Sequence, residues 1–421
     1  GQMLIVDLDR PGLTSSCYWD IPPEQTQTYS DRQWEELLDE KLKDCVRRQL
    51  VSDVPLGAFL SGGVDSSLLV SAMGATETFS IGFAEESYNE LGYSRRVADH
   101  LGQNHITEII KPDVVALFDT LMYSMDDPIG DFSIFPTYLV SQLARKHVTV
   151  SLSGDGGDEL FGGYETYLAN RYAGVYRRVP LLLRSHVLRP LIDCLKPTGK
   201  KKGFINKLKR FVEGANLPEN MEHARWRMFL NEAMMQQLFT PDAYRQITRP
   251  PGGHIETLFQ GAGERGALNR CLYVDFKSYL PDNILVKVDR MSMAVSLESR
   301  VPYLDKELVE LAFQVPDRLK IAGRETKSVL KRLAARYIPK ECVYRPKEGF
   351  SIPIKHWLNT QFKPLMEDYL DEQRLRRQGI FNVDTIKTLQ HQHRAGFANH
   401  SHILWALIVF QAWHRRWMEA C

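Results

Sequence analysis

The residues with the clearest chemical potential lie in a short glycine- and serine-rich segment, residues 61–67 (SGGVDSS). Glycine has no Cβ to hold a phosphate away from the backbone, and the N–H groups at the start of a helix point toward anions. The segment has neither the spacing nor the lysine of a Walker A loop, which suits transfer of a terminal phosphoryl group. It therefore predicts an anion-binding loop of another kind, the alternative being a serine-rich turn that only caps a helix.

A second glycine-rich segment, residues 153–164 (SGDGGDELFGGY), carries three acids close together. In the first segment the carboxylate of Asp65 would repel a phosphate, so its presence is explained if a magnesium ion lies between them. Such a site needs a further acid, and the second segment supplies candidates. Together the two segments predict a binding site for a nucleotide and Mg²⁺.

Both segments follow strand-like runs and precede helical ones. Apolar runs of strand length occupy residues 55–60, 78–83, 105–110 and 148–152, and helical stretches separate them. This alternation predicts an α/β fold, a doubly wound parallel sheet with helices on both faces. Ligands of such sheets bind at the carboxyl ends of the strands, where the two glycine-rich segments begin.

The pattern divides the chain into four parts. We expect remnant strands of an N-terminal domain at residues 1–20, a linker at 21–30, an α/β nucleotide-binding core at 31–165 and a mainly helical part at 166–421. Within the first part, strand-like residues 3–9 and 16–20 could pair after the Pro11-Gly12 turn. Two strands are too few for a domain, so we expect the body of that domain to lie upstream.

Composition limits the classes of function. The net charge of +1 provides no overall attraction for nucleic acid. The basic cluster (Lys200, Lys201, Lys202, Lys207, Lys209 and Arg210) contains a single aromatic, Phe204, too few to alternate with these charges as a stacking platform. No apolar run approaches the roughly 18 residues of a membrane span. Six cysteines without a C-x-x-C pair indicate a reducing compartment. We therefore expect a cytoplasmic protein with no nucleic-acid or membrane partner.

Four motifs in order carry a family resemblance: SGGVDSS, TFSIGF at 78–83, SGDGGDELFGGY, and SLESRVPYLD at 296–305. From about residue 31 onward the chain resembles the glutamine-dependent asparagine synthetases, whose synthetase domain is of the PP-loop ATP pyrophosphatase type. The resemblance implies that ATP is cleaved between its α and β phosphates.

The resemblance also implies roles for individual residues. The implied ATP-binding residues are Leu60, Ser61, Gly62, Gly63, Asp65, Ser66, Ser67, Ile81, Ser153 and Gly154. Asp65 and Asp158 would hold Mg²⁺, and Lys327 would hold the α-phosphoryl group. A fixed ammonium can stabilise the charge that builds there, although a lysine on a helix is otherwise usually solvated. Asp155 is the second implied catalytic residue, and it stands where well-known members have glutamate, a side chain one methylene longer that is proposed to handle the proton or ammonia.

The implied reaction is the ATP-dependent amidation of aspartate through an acyl adenylate. Ammonia would come from glutamine in a longer protein, because residue 1 is glycine and the family's N-terminal catalytic cysteine is missing. Alternatives are amidation of another carboxylate such as a sugar acid, a tRNA-modifying enzyme, or a scaffold without activity. A homodimer stays open.

Other conspicuous residues have simpler interpretations. Glu298 and Arg300 are interpreted as an ion pair before Pro302 in preference to substrate contacts. Lys347 and Glu348 belong either to a closing loop or to the charged surface. The histidines at 391, 393, 400 and 402 do not have metal-ligand spacing.

Overall fold

The computed structural model describes residues 1–7, 9, 12–25, 28–83, 89–110, 113–195, 204–249, 252–345 and 352–419. At its centre is a five-stranded parallel sheet, whose strands run β5, β4, β3, β6, β7 across the sheet. Their bounds are β3 Leu56–Phe59, β4 Glu77–Phe83, β5 Asn104–Ile110, β6 Val150–Leu152 and β7 Glu298–Arg300. A separate hairpin contains β1 Gln2–Asp7 and β2 Gly12–Cys17.

Helices account for most of the remaining described residues. They are α1 Asp31–Gln49, α2 Val64–Ser71, α3 Leu91–Leu101, α4 Val114–Met125, α5 Ile134–Arg145, α6 Gly157–Phe161, α7 Glu165–Tyr176, α8 Leu181–Leu183, α9 Arg189–Asp193, α10 Phe204–Ala215, α11 Met221–Arg227, α12 Glu232–Leu238, α13 Pro241–Arg245, α14 Gly253–Gly261, α15 Ala267–Lys277, α16 Val286–Met293, α17 Lys306–Gln314, α18 Asp317–Lys320, α19 Ser328–Ala334, α20 Lys340–Val343, α21 Ile354–Trp357, α22 Lys363–Tyr369, α23 Glu372–Gln378, α24 Val383–Arg394 and α25 Ser401–Trp417. Wider π turns occupy Arg184–Leu188 and Leu280–Leu285, and a 3₁₀ turn occupies Pro302–Leu304. No helix in the described ranges is long and apolar enough to cross a bilayer.

A hydrophobic core lies on each face of the sheet. Ala58 of β3 packs into one core with residues of α1, α2, α17 and α19, whereas its neighbour Phe59 packs against the other, which contains residues of α4, α5 and α25. Successive strand residues point to opposite faces, so both faces of β3 are buried. The doubly wound α/β fold is therefore confirmed.

The four strands expected from apolar runs are present within one or two residues of their predicted bounds. The fifth, β7, was not predicted, because its sequence Glu-Ser-Arg has no apolar residue and it lies at the edge of the sheet. Arg300 fixes this strand: its guanidinium donates to the carbonyls of Gln49 and Val51 at 2.7 Å and pairs with Glu298 at 2.6 Å. The ion pair interpreted from the sequence is thus present.

The chain after residue 165 is mainly helical, as expected. Its helices contribute to both cores, since α17 and α19 join the core that contains α1 while α25 joins the other. The division at residue 165 stays a prediction.

The N-terminal hairpin projects from this body. β1 and β2 pair antiparallel, Gln2 opposite Cys17 and Asp7 opposite Gly12, and every residue of both strands is exposed. The expected pairing forms, but the second strand starts four residues earlier than predicted. Pro11 of the expected turn is outside the described residues.

Candidate active site

The two glycine-rich segments emerge side by side. β3 and β6 are parallel neighbours with Ala58 opposite Leu152, so the loops that follow them leave the same edge of the sheet. The backbone N–H of Ser153 donates to the carbonyl of Arg300 at 2.8 Å, which continues the pairing with β7. The order of strands therefore brings together loops that are about 90 residues apart in the chain.

The first loop is bent tightly and leads directly into α2. Gly62 has φ +70°, and a Cβ at this position would lie 2.6 Å from the backbone N of Ser94. The Ser61 N–H donates to Ser66 Oγ, and the Gly63 N–H donates to Ser61 Oγ, both at 3.2 Å. Gly63 is the N-cap of α2 and has no side chain to cover the amides of the first turn. The absence of a capping side chain is what an anion-binding helix start would require.

The second loop packs against the first so closely that its glycines are required. A Cβ on Gly154 would lie 2.9 Å from the backbone N of Ser66, and one on Gly157 would lie 2.7 Å from Asp65 Oδ1. The 296–305 motif also contacts the first loop, because the Tyr303 hydroxyl donates to the Asp65 carbonyl at 3.2 Å.

Lys327 connects the two loops. Its ammonium lies 2.6 Å from Asp158 Oδ1 and also pairs with Asp65 Oδ2. Only 5% of the residue is exposed, and it adopts a left-handed φ of +54° as the N-cap of α19. Burial alone would lower the pKa of Lys327, but the carboxylates of Asp158 and Asp65 raise it above its ordinary value. The lysine is therefore a buried, fixed cation.

Space for this cluster depends on Gly163. A Cβ there would lie 1.7 Å from Asp158 Oδ1 and 2.2 Å from Lys327 Cε. Any other residue would have to displace either the acid or the lysine.

The two acids also fit a magnesium ion. Mg²⁺ in nucleotide sites is commonly bound through one or two carboxylates together with phosphate oxygens and water. Asp65 and Asp158 both direct a carboxylate oxygen at one cation, the Lys327 ammonium. The two carboxylates therefore already point toward a shared positive charge. Within the described residues no cluster of three or more His, Cys, Asp or Glu could hold a metal alone. The phosphates of a nucleotide would have to complete the coordination.

Leu60 and Ile81 lie near the carboxyl ends of β3 and β4, but their side chains belong to different cores. The Leu60 carbonyl accepts a hydrogen bond from the Ser80 hydroxyl. Both side chains are buried, so Leu60 and Ile81 do not form one exposed surface that a nucleotide could contact.

Asp155 is held by its own loop. The hydroxyl of Ser153 donates to Asp155 Oδ2 at 2.5 Å, and the residue is partly buried. The Asp155 carboxylate therefore lies within the second loop and is turned back onto Ser153.

Arg345 is a cation beside the first loop that was not predicted. Its guanidinium pairs with Glu90 at 2.9 Å, stacks 4.5 Å from the centre of the Tyr93 ring and lies 3.5 Å from the Ser61 carbonyl. No motif marks it, since it follows the loop by more than 280 residues. Lys347 and Glu348, the nearby charges that the sequence did single out, are outside the described residues.

A buried polar network extends from the second loop into the helical part. Glu159 is 1% exposed and accepts from the Tyr164 hydroxyl at 2.5 Å, and burial together with the Asp158 charge raises its pKa to about 7. The guanidinium of Arg227 lies 4.4 Å from the Tyr164 ring centre and pairs with Asp275. This network connects the residue after Asp158 to α11 and α15.

The fold and the paired loops define the class: an α/β nucleotide-binding protein of the PP-loop type. The chain matches the family model described as Asparagine synthase over residues 37–415. It belongs to the asparagine synthase family, a family of ATP-dependent ligases.

Curated relatives agree with this assignment. The chain is 31% identical over 411 residues to Asparagine synthetase [glutamine-hydrolyzing] 1 of Bacillus subtilis (strain 168), which covers 96% of this chain and 62% of the relative. It is 32% identical to a putative asparagine synthetase of Mycobacterium tuberculosis (90% of this chain, 57% of the relative) and 37% identical to one of Methanocaldococcus jannaschii (69% and 55%). Amidase chyE of Penicillium rubens is more distant, at 24% identity. The chain spans about 60% of the length of the first two of these relatives.

Proposed function

We propose that this chain activates the side-chain carboxylate of aspartate with ATP and transfers ammonia to it, giving asparagine, AMP and pyrophosphate. The observation that carries the proposal is the buried Lys327 ammonium between Asp65 and Asp158, directly beside a glycine loop that opens a helix. A fixed cation next to the uncapped start of a helix suits a reaction in which charge develops at phosphorus.

In the first step a carboxylate oxygen attacks the α-phosphorus, and the bond to the bridging oxygen of the pyrophosphate breaks. The amides at the start of α2 bind the departing pyrophosphate, while the Lys327 ammonium stabilises the charge on the α-phosphoryl oxygens. Asp65 and Asp158 would hold Mg²⁺, which supplies charge neutralisation for the phosphates when bound. The products are an acyl adenylate and pyrophosphate.

In the second step ammonia attacks the acyl carbon, AMP leaves, and the nitrogen loses one proton. AMP is a far better leaving group than oxide, which is why activation is needed. Water must be kept from the adenylate, and the helices after residue 165, packed on both sides of the sheet, are suited to shield it.

Arg345 supports this role because the loop itself contains no basic residue. In a Walker A loop a lysine neutralises the phosphates, whereas here the guanidinium beside Ser61 is placed to do so for pyrophosphate. Tyr93 and Glu90 hold the guanidinium in position, so little side-chain entropy would be lost on binding.

The source of ammonia and the compartment are part of the same proposal. The names of several relatives include glutamine hydrolysis, and this chain spans only part of their length. Ammonia released from glutamine elsewhere in a longer protein would supply the second step. The described cysteines are all unpaired thiols, in keeping with the cytoplasm.

An acid-dependent exchange assay tests the proposal. Labelled pyrophosphate should enter ATP when the chain, Mg²⁺ and aspartate are present, because adenylation is reversible. A panel of other carboxylates, sugar acids included, should give much slower exchange. Exchange with a sugar acid but not with aspartate would assign another acceptor, and the absence of exchange with every acid would reject adenylation.

A further inference from the structure

A strongly basic stretch with exposed apolar residues lies on the helical part, away from the glycine loops in sequence. Between residues 166 and 210 the chain has twelve Lys and Arg residues and a single acid, Asp193, although the whole chain has a net charge of only +1. Positive charge is thus concentrated in about one tenth of the sequence. Arg177 and Lys207 pair with Glu222 and Glu165, and the remaining excess of positive charge points to an anionic partner.

The helical residues at the centre of this stretch turn apolar side chains outward. α8, the π turn Arg184–Leu188 and α9 follow one another without a break. Their exposed apolar side chains, with those just before and after, are Val175, Leu181, Leu182, Leu183, Val187, Leu191 and Leu195. Leu182 and Leu191 are 74% and 64% exposed. We call residues 171–195 the leucine surface.

The leucine surface is amphipathic along its length. Leu183, Val187, Leu191 and Leu195 recur at intervals of four, which places them on one stripe of a helix. The side chains of Arg178, His186 and Arg189 are exposed on the same segment. An apolar stripe bordered by exposed basic residues is typical of helices that lie in the plane of a membrane interface.

We propose that the leucine surface docks this protein onto an anionic lipid bilayer as a peripheral contact. Lipid acyl chains accept leucine side chains, and anionic headgroups pair with arginines, so a bilayer satisfies both features at once. No membrane partner is expected from the sequence, because the exposure of these leucines depends on how the helices pack.

Two other partners fit less well. A second copy related by a twofold axis would place this basic surface against itself, with repulsion between like charges. Nucleic acid would match the charge, but the leucine surface exposes one aromatic side chain, Tyr172, against seven aliphatic ones, and aliphatic side chains do not stack on bases.

Vesicle flotation of the whole 421-residue chain tests the proposal. The protein should float with vesicles of phosphatidylglycerol and phosphatidylcholine, should not float with phosphatidylcholine alone, and should be released by salt. The double variants L183N/L191N and R178E/R189E should each lower the partition coefficient about tenfold or more.

Matched control variants make the result specific. V51N/F397N changes apolar residues elsewhere that are more exposed than Leu183 and Leu191, and R32E/R245E reverses exposed arginines elsewhere. Both controls should float like the unchanged chain, and circular dichroism should give the same helix content for all variants.

Three results would overturn the proposal. The first is no flotation with anionic vesicles at low salt, and the second is equal losses in the control variants. The third is saturable binding of an acidic amphipathic peptide or of DNA without vesicle binding, which would assign the surface to another anionic partner. None of these results depends on the ligase activity, so the two proposals fail independently.

Discussion

At the scale of single residues, Lys327 carries two unfavourable free-energy terms, one from its backbone conformation and one from its burial. A non-glycine residue with positive φ is strained by about 1–2 kcal/mol, and an ammonium at 5% exposure has lost most of its hydration. The carboxylates of Asp65 and Asp158 offset the second cost. Such an arrangement is typical of functional sites, where strain is retained because the position of the group matters.

Replacement of Lys327 by methionine should abolish most of the adenylation activity. We expect a fall of about 100- to 1,000-fold in acid-dependent pyrophosphate exchange, because one fixed charge is lost at the developing negative charge. Lys306→Ala, at an exposed lysine of α17, is the control and should leave the rate unchanged. A rate for Lys327→Met within a few-fold of the control would remove Lys327 from the mechanism.

Arg345→Leu should weaken the binding of ATP and of pyrophosphate. We expect the KM for ATP and the inhibition constant for pyrophosphate to rise about tenfold, since one charge-assisted contact is lost. Arg345→Lys should restore part of the loss, and Arg376→Leu, at an exposed arginine of α23, should have no effect. Equal KM values for the leucine and unchanged proteins would assign Arg345 to structure alone.

How far the sequence predicted these residues depends on local motifs. The glycines and acids of the two loops were found because phosphate binding by backbone amides needs a recognisable local pattern. Lys327 was found only through its resemblance to a family motif, since a helical lysine by itself carries no such signal. Arg345 was missed because its position beside Ser61 is a product of the tertiary fold.

At the scale of elements, the close packing of loops explains which glycines are essential. Gly163→Ala would push a methyl group onto the Asp158 carboxylate and the Lys327 side chain. We expect it to lower the exchange rate by at least about tenfold, since small misplacements of catalytic groups are costly. Gly174→Ala, in α7 with open space around it, should keep the activity and raise stability by about 0.5–1 kcal/mol.

The buried acid Asp275 holds α7, α11 and α15 together. It accepts from the Tyr167 hydroxyl at 2.6 Å, lies 2.8 Å from His223 Nε2 and pairs with Arg227. Burial would raise the pKa of Asp275, but His223 and Arg227 hold it well below its ordinary value. Its charged form is therefore favoured by folding.

Asp275→Asn should lower the free energy of unfolding by about 3–5 kcal/mol, because Arg227 would lose a buried partner. The folded pKa is lowered, so this contribution is complete above the ordinary pKa of an aspartate and is lost as the pH falls toward the folded value. Urea unfolding should give a constant difference between the two proteins above about pH 5 and a shrinking one below it. Glu40→Gln, at an exposed acid of α1, is the control. A difference that does not change with pH would contradict this account.

The strands and helices that could be predicted from the sequence are those with a clear pattern of apolar residues. The four strands with apolar runs were predicted from the sequence. β7 was not found, because its polar residues are stabilised by hydrogen bonds from Arg300 to the end of α1 instead of by burial.

At the scale of the whole molecule, one sheet with a core on each face positions every group of the candidate site. The two loops come from adjacent strands, while Lys327 and Arg345 come from the helical part that packs around them. The N-terminal hairpin, exposed on all its residues, is outside this arrangement. The family model likewise matches from residue 37 onward, after this hairpin.

The central claim is that the carboxylate of the acceptor attacks the α-phosphorus. The most direct measurement uses aspartate labelled with heavy oxygen in its side-chain carboxylate, together with ATP, Mg²⁺ and ammonium, and mass analysis of the nucleotide product. We expect one labelled oxygen to appear in AMP, because the carboxylate oxygen that bonds to phosphorus leaves with it. Unlabelled AMP, or ADP as the product, would contradict the account.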